Sequence, residues 1–402
     1  MPIIVDLLHD DRTINLNECL VISIITALQS LIENIGQFLS SYMESLVTGI
    51  CKLAIKYSAK KAVCEKLHVL QCLLAKEISV RVLLSSVENG YTKLLSENKS
   101  AVIPLMEIFE EKLNCCKYED IEACSPQLQK FYILLLDFRN LNSSDSSELV
   151  ESVEASVISC LKTFILKLSV TRFRTFFQKV YQWATSAEEQ EQKLRIFTFY
   201  RLTCVLSQSL KNLFMLMAKY FLRHAANVLD QNNSSKTGNY FEESITMSSQ
   251  LLNYVLDTLN FCFLYDDGQL LDKENFEILM QPLVDQLENI HDEVYQEIVE
   301  SHLSSCIAHF MAAVSDHALW KKLNYQILLK TRHDSPKVRF AALQVIRNVV
   351  QKMGDNYLIL LPESIPFLAE IMEDESFEVE QECQSVIIEM EKILGEPIRK
   401  YF

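Results

Sequence analysis

Along residues 319–350, LWKKLNYQILLKTRHDSPKVRFAALQVIRNVV, apolar positions return at steps of three and four in two successive runs. Each run marks one face of a 3.6-residue helix. The first carries Leu319, Leu323, Ile327 and Leu328; the second carries Val338, Ala341, Ala342, Val345, Ile346 and Val349. Between them, Ser335 is placed to cap the second helix. Pro336 suits its first position, where a missing N–H costs nothing. The pattern predicts a helix–turn–helix unit, and the unit recurs. Val338, Ala342, Val345 and Val349 align with Val379, Cys383, Val386 and Met390, each 41 residues further on.

A pair of helices with one apolar stripe each cannot shield both stripes alone, so such units stack. A two-helix repeat near 41 residues is the HEAT/armadillo pattern. The expected fold is therefore all-α: an α-solenoid of stacked antiparallel helix pairs, about 16–20 helices with essentially no sheet. In that unit Asp334, Val338, Arg339 and Ala342 form the repeat motif, with Arg339 expected to pair with an Asp of its own or the next repeat. Three segments are expected: 1–100 as helical repeats, 101–270 as a second helical domain, and 271–402 as terminal repeats with an acidic cap. The polar stretches 140–148 and 230–244 read as loops, the second as a surface loop poor in apolar anchors.

Composition agrees with helices. Seven Gly and eight Pro in 402 residues are too few for many strands joined by tight turns. No run of about 18 uncharged apolar residues appears, so no membrane span is expected. The first residues, MPIIVDLLHDDR, lack the layout of a signal peptide. Twelve cysteines, most of them inside helical stripes, are then expected as free thiols in a reducing compartment. A net charge of −15 argues against a general nucleic-acid binder.

Candidate chemistry is sparse. His302, Cys306 and His309 fall at i, i+4 and i+7, a spacing that could gather metal ligands. No fourth ligand is signalled, and a partly buried helix face is the expected use. Cys115, Cys116 and Cys124 form no paired knuckle. No phosphate loop, nucleophile elbow or H-E-x-x-H helix occurs, so no enzyme activity, cofactor, metal or small-molecule substrate is expected.

Charge is segregated. Residues 319–350 hold seven Lys/Arg against one acid, whereas 363–392 hold ten acids against one Lys. One reading is a basic ridge that meets RNA phosphate or an acidic partner, with Lys330, Arg332 and Lys337 at the turn as the contacts. The plainer reading is a solvated face beside a soluble end-cap. The segment 167–183, KLSVTRFRTFFQKVYQW, interleaves cations with aromatics as single-stranded RNA binders do. Its Phe173, Phe176, Phe177 and Val180 nevertheless share one stripe, so a buried aromatic seam is expected there.

The strings KLSVTRFRTFFQKVYQWA (167–184), PLVDQLEN (282–289), LWKKLNYQILLKTRHDSPKVRFAAL (319–343), LLPESIPFLAEIMEDE (360–375) and LGEPIRKYF (394–402) resemble, in order, the C-terminal portion of the HEAT repeat-containing protein 1 family. The resemblance implies a non-enzymatic scaffold of the nucleolar small-subunit processome. Its partners would be proteins of the early pre-rRNA-binding subcomplex, with small nucleolar ribonucleoprotein and pre-rRNA met directly or indirectly. It further implies support for processing toward 18S rRNA and a link to transcription by RNA polymerase I. The alternative is an importin-like HEAT adaptor holding basic protein cargo. Family members are far longer than this chain, so functions of their N-terminal arrays are not carried over.

Overall fold

The computed structural model describes residues 18–290 and 294–401, together with Leu8. Among these residues the chain is α-helical with short 3-10 turns, and no strand occurs beyond one isolated bridge between Asn233 and Gly238. It divides into two compact units, residues 1–198 and 199–402, the division falling inside the helix Glu189–Leu210.

In the first unit alternate helices stack into two layers. Glu18–Ile35, Lys61–Glu77, Val102–Cys115 and Ser147–Leu166 each pack on the next and make one layer. Met43–Lys56, Val80–Glu97, Tyr118–Leu136 and Val170–Thr185 make the other. This is the solenoid arrangement: every helix hides its stripe against the equivalent helix one repeat away. Within the second layer one crossing is tight: a Cβ on Gly90 of Val80–Glu97 would sit 3.2 Å from the Thr48 methyl of Met43–Lys56, close enough that the threonine would have to shift by a few tenths of an ångström.

By length and composition the helix Glu18–Ile35, continued to Phe38, could cross a membrane, with mean hydropathy 1.6. This differs from the expectation of no such segment. In the fold its face of Val21, Ile25, Leu28 and Ile32 is buried against Lys61–Glu77.

The second unit repeats the two-layer scheme. Asn212–Ala218, Ile245–Leu264, Ser304–Ala312, Pro336–Met353 and Phe377–Leu394 form one row. Leu222–Gln231, Lys273–Asp285, His317–Lys330 and Leu361–Ile371 form the other. Val338, Ala341, Ala342, Val345, Ile346 and Val349 are all buried, as are Val379, Cys383, Val386 and Met390. Leu343 and Val350, off the predicted stripe, are buried too, because Pro336–Met353 is flanked by a helix on each side within its row. Pro336 occupies the first turn, but the Ser335 hydroxyl makes no cap bond. The local bond runs instead from the Ser335 N–H to Nδ1 of His333 at 3.0 Å.

Candidate functional site

Six of the seven cations in 319–350 meet carboxylates from neighbouring repeats. Lys321 lies 3.5 Å from Glu363, Lys322 3.2 Å from Glu277, and Arg347 3.1 Å from Glu382. Arg332 donates from Nε and Nη2 to Glu370 at 2.7 and 2.6 Å, its guanidinium 4.1 Å above the Phe367 ring. Arg339 makes the same two-pronged contact with Asp374 and also donates from Nη1 to the carbonyls of His333 and Asp334. The expected Arg–Asp pairing thus runs to the next repeat. Those bonds hold Asp374 below the ordinary carboxylate range.

Lys330 is the most enclosed of the seven. Its ammonium sits 3.1 Å from Asp285 and 2.6 Å from Glu288, with 13% of the side chain exposed. Lys337 alone is exposed with no ion-pair partner among the described residues. The basic stretch, which read in the sequence as a surface separate from the acidic one, thus pairs four of its cations with that acidic stretch. Of the repeat motif, Val338 and Ala342 are packed inside and Asp334 lies exposed at the turn.

Asp285 leads into a buried polar network that the sequence did not announce. Burial works to raise its pKa, but hydrogen bonds from Lys236, Gln281 and Lys330 hold it below the usual range. Around it, Asn233 donates to the Asp285 carbonyl at 3.0 Å, and Asn289 donates to the Asn232 carbonyl at 2.8 Å. Asn289 also accepts from the N–H and hydroxyl of Ser234 at 2.8 and 2.9 Å, while Gln286 donates to the Leu229 carbonyl at 2.9 Å. Asn232 and Asn233 are fully buried. The start of the stretch 230–244, expected as a surface loop, is therefore a tied-down plug on the end of Lys273–Asp285. Its asparagines stand in for the missing apolar anchors by satisfying backbone groups that burial would otherwise strand.

The remaining candidates settle as side-chain pairs. His302 sits on a five-residue π turn, Val299–Leu303, which shifts the helical phase that its spacing from Cys306 and His309 assumed. Its Nδ1 lies 2.6 Å from Asp257, and Nδ1 of His309 lies 2.6 Å from Asn260. Cys306 is buried, which pushes its thiol pKa up. Among the described residues no group of three His, Cys, Asp or Glu side chains is placed to hold a metal. In the segment 167–183, Phe173, Phe176 and Phe177 face inward. Phe176 packs edge-on to Phe164 at 5.9 Å, and Phe164 stacks on Tyr132 at 5.2 Å.

Comparison with known proteins bears on what these repeats belong to. The BP28CT (NUC211) domain matches residues 120–271. HEAT repeat-containing protein 1 of Homo sapiens is 39% identical over 410 aligned residues, covering all of this chain and 19% of that protein. The chain belongs to the HEAT repeat-containing protein 1 family. It spans about a fifth of the length of the Homo sapiens and Danio rerio relatives. The U3 small nucleolar RNA-associated protein 10 of Kluyveromyces lactis is 26% identical, over 96% of this chain and 21% of its own. Among solved structures, a crystal structure of importin beta aligns with 97% of this chain and 48% of its own at 12% identity and a TM-score of 0.42. Within the family's matched domain lie the aromatic seam and the Asn232–Asn233 plug; the basic unit 319–350 lies outside it.

Proposed function

We propose that the chain is part of a non-enzymatic scaffold of the small-subunit processome, working in the nucleolus in support of pre-rRNA cleavage toward 18S rRNA. The observation that carries this reading is the near end-to-end match to relatives, one of which is named as a U3 small nucleolar RNA-associated protein. Its partners on this reading are proteins of the early pre-rRNA-binding subcomplex, with small nucleolar ribonucleoprotein and pre-rRNA as close neighbours. A link to RNA polymerase I transcription belongs to the same proposal.

Stacked helix pairs suit such work, since each added repeat lengthens the docking face without a new core. Of the three cations first expected to touch RNA, Lys337 keeps that role best, because Lys330 and Arg332 are occupied by acids of their own chain. Depleting the protein should cause uncleaved 18S precursors to accumulate, and expressing the full-length family member should restore cleavage. Normal precursor levels after depletion would refute the assignment.

A further inference from the structure

The inner side of the segment 167–183 is buried in the aromatic seam; its outer side lines a groove. Helix Tyr118–Leu136 contributes Pro126, Gln129, Lys130 and Ile133, spaced i, i+3, i+4, i+7 and hence on one face. Helix Val170–Thr185 contributes Thr171, Arg172, Thr175 and Lys179 across a cavity of about 340 Å³. Three cations therefore converge on one channel. Arg172 is paired with Glu122. Lys179 meets only a neutral partner, its Nζ donating to Gln129 Oε1 at 3.0 Å. Lys130 is exposed, and neither lysine has a carboxylate partner among the described residues.

In a chain of net charge −15 whose basic stretch 319–350 is largely compensated, two unmatched ammoniums in one groove point to an anionic occupant. We propose that this groove seats the phosphate backbone of single-stranded RNA, which rests on the processome reading for its setting. An acidic protein segment is the weaker fit, because docked peptides need deep apolar pockets for anchoring side chains, and this groove offers only Pro126 and the half-buried Ile133. Phe173, Phe176 and Phe177 are turned into the core and, among the described residues, no aromatic ring lines the groove, so bases have no platform to stack on within it. Contact through phosphate alone predicts binding that is salt-dependent and indifferent to sequence.

The test uses the purified full chain and a fluorescent 20-nucleotide oligouridylate, with binding read by anisotropy across a salt series. For K130A/K179A the expected result is at least tenfold weaker binding at low salt. The log–log salt slope should fall by about 1.4, roughly 0.7 for each single-strand phosphate that no longer meets an ammonium. K130R/K179R should bind as the parent does, and circular dichroism should show both variants folded. An affinity and slope within twofold of the parent in the alanine variant would overturn the proposal, as would absence of RNA binding by the parent. Displacement of RNA by poly-glutamate at lower charge concentration than by unlabelled RNA would also overturn it, in favour of an acidic protein segment. These outcomes are read on purified components, whereas the scaffold assignment stands or falls on precursor cleavage in cells.

Discussion

Arg339 clasps Asp374 of the following repeat through two parallel hydrogen bonds, Nε to Oδ2 at 2.7 Å and Nη2 to Oδ1 at 2.8 Å. In the 41-residue register Asp374 occupies the place of His333, and both accept an N–H two residues on, from Ser376 and Ser335. The carboxylate therefore fixes its own turn and the neighbour at once. Asp374→Asn should destabilise the terminal repeats by about 1–3 kcal/mol, the lower end being favoured because Arg339 is partly exposed. Asp374 has a depressed pKa in the fold. Its contribution is thus complete above the ordinary carboxylate range, near 4, and is lost as pH falls through the folded value. Thermal melts from pH 3 to 7 should show parent and variant converging only at the acidic end.

Lys330 and Lys337 are separated by seven positions and differ in what charge reversal should do. Lys330→Glu sets a third carboxylate against Asp285 and Glu288 and should destabilise by on the order of 2–4 kcal/mol. Lys337→Glu, exposed and unpaired among the described residues, should stay within about 0.5 kcal/mol of the parent. Urea melts of the two variants check the contrast; equal midpoints would mean that the Lys330 pairs contribute nothing.

Asn289→Ala should release the plug. The change strands the Asn232 carbonyl and the Ser234 N–H, at about 1–3 kcal/mol for buried polar groups left without partners. Limited proteolysis should then cut within 230–244 in the variant while the parent resists, and hydrogen exchange should accelerate in the same stretch.

In the first unit, Arg139 and Glu154 form a buried pair: Nη2 to Oε2 at 2.7 Å, with 6% and 2% of the side chains exposed. The guanidinium lies 4.4 Å over the Phe197 ring, and the Thr198 hydroxyl also donates to Glu154. Glu154→Ala should cost about 3–5 kcal/mol by leaving a buried cation alone. Arg139→Met combined with Glu154→Leu should recover most of that loss, since an apolar pair of similar size removes both desolvation penalties. A denaturant double-mutant cycle measures the coupling.

His224 gives a second pH dependence. Burial pushes it down to about 4 from 6.5; its ring stacks on Tyr200, whose hydroxyl lies 2.9 Å from Nδ1. Between those values the unfolded chain binds the proton and the fold does not, so stability present above pH 6.5 declines as pH falls toward 4. His224→Gln should flatten that interval in melts at fixed ionic strength. An unchanged slope would place the titration elsewhere.

The helical repeat was legible because its cause is local. The three-and-four spacing of Val338, Ala342, Val345 and Val349 and the turn at Asp334-Ser335-Pro336 dictate a helix pair wherever they occur. The aromatic seam was legible for the same reason, since Phe173, Phe176 and Phe177 share a stripe. What the sequence hid was set by partners far along the chain. The span 319–350 looked like a basic surface because Glu277, Asp285, Glu288, Glu363, Glu370, Asp374 and Glu382 lie outside it. The stretch 230–244 looked loose because asparagines read as solvent-seeking until Asn289 and Asp285 stand beside them. The π turn at Val299–Leu303 likewise left no mark in the spacing of His302, Cys306 and His309.

The basic repeat draws its counterions from both directions, backward to Glu277, Asp285 and Glu288 and forward to Glu363, Glu370, Asp374 and Glu382. Four of the cations, Lys321, Arg332, Arg339 and Arg347, depend on carboxylates carried after residue 360. A chain shortened to end near residue 350, or one whose last two helices have come undone, would therefore bare a cationic helix pair open to indiscriminate pairing with polyanions.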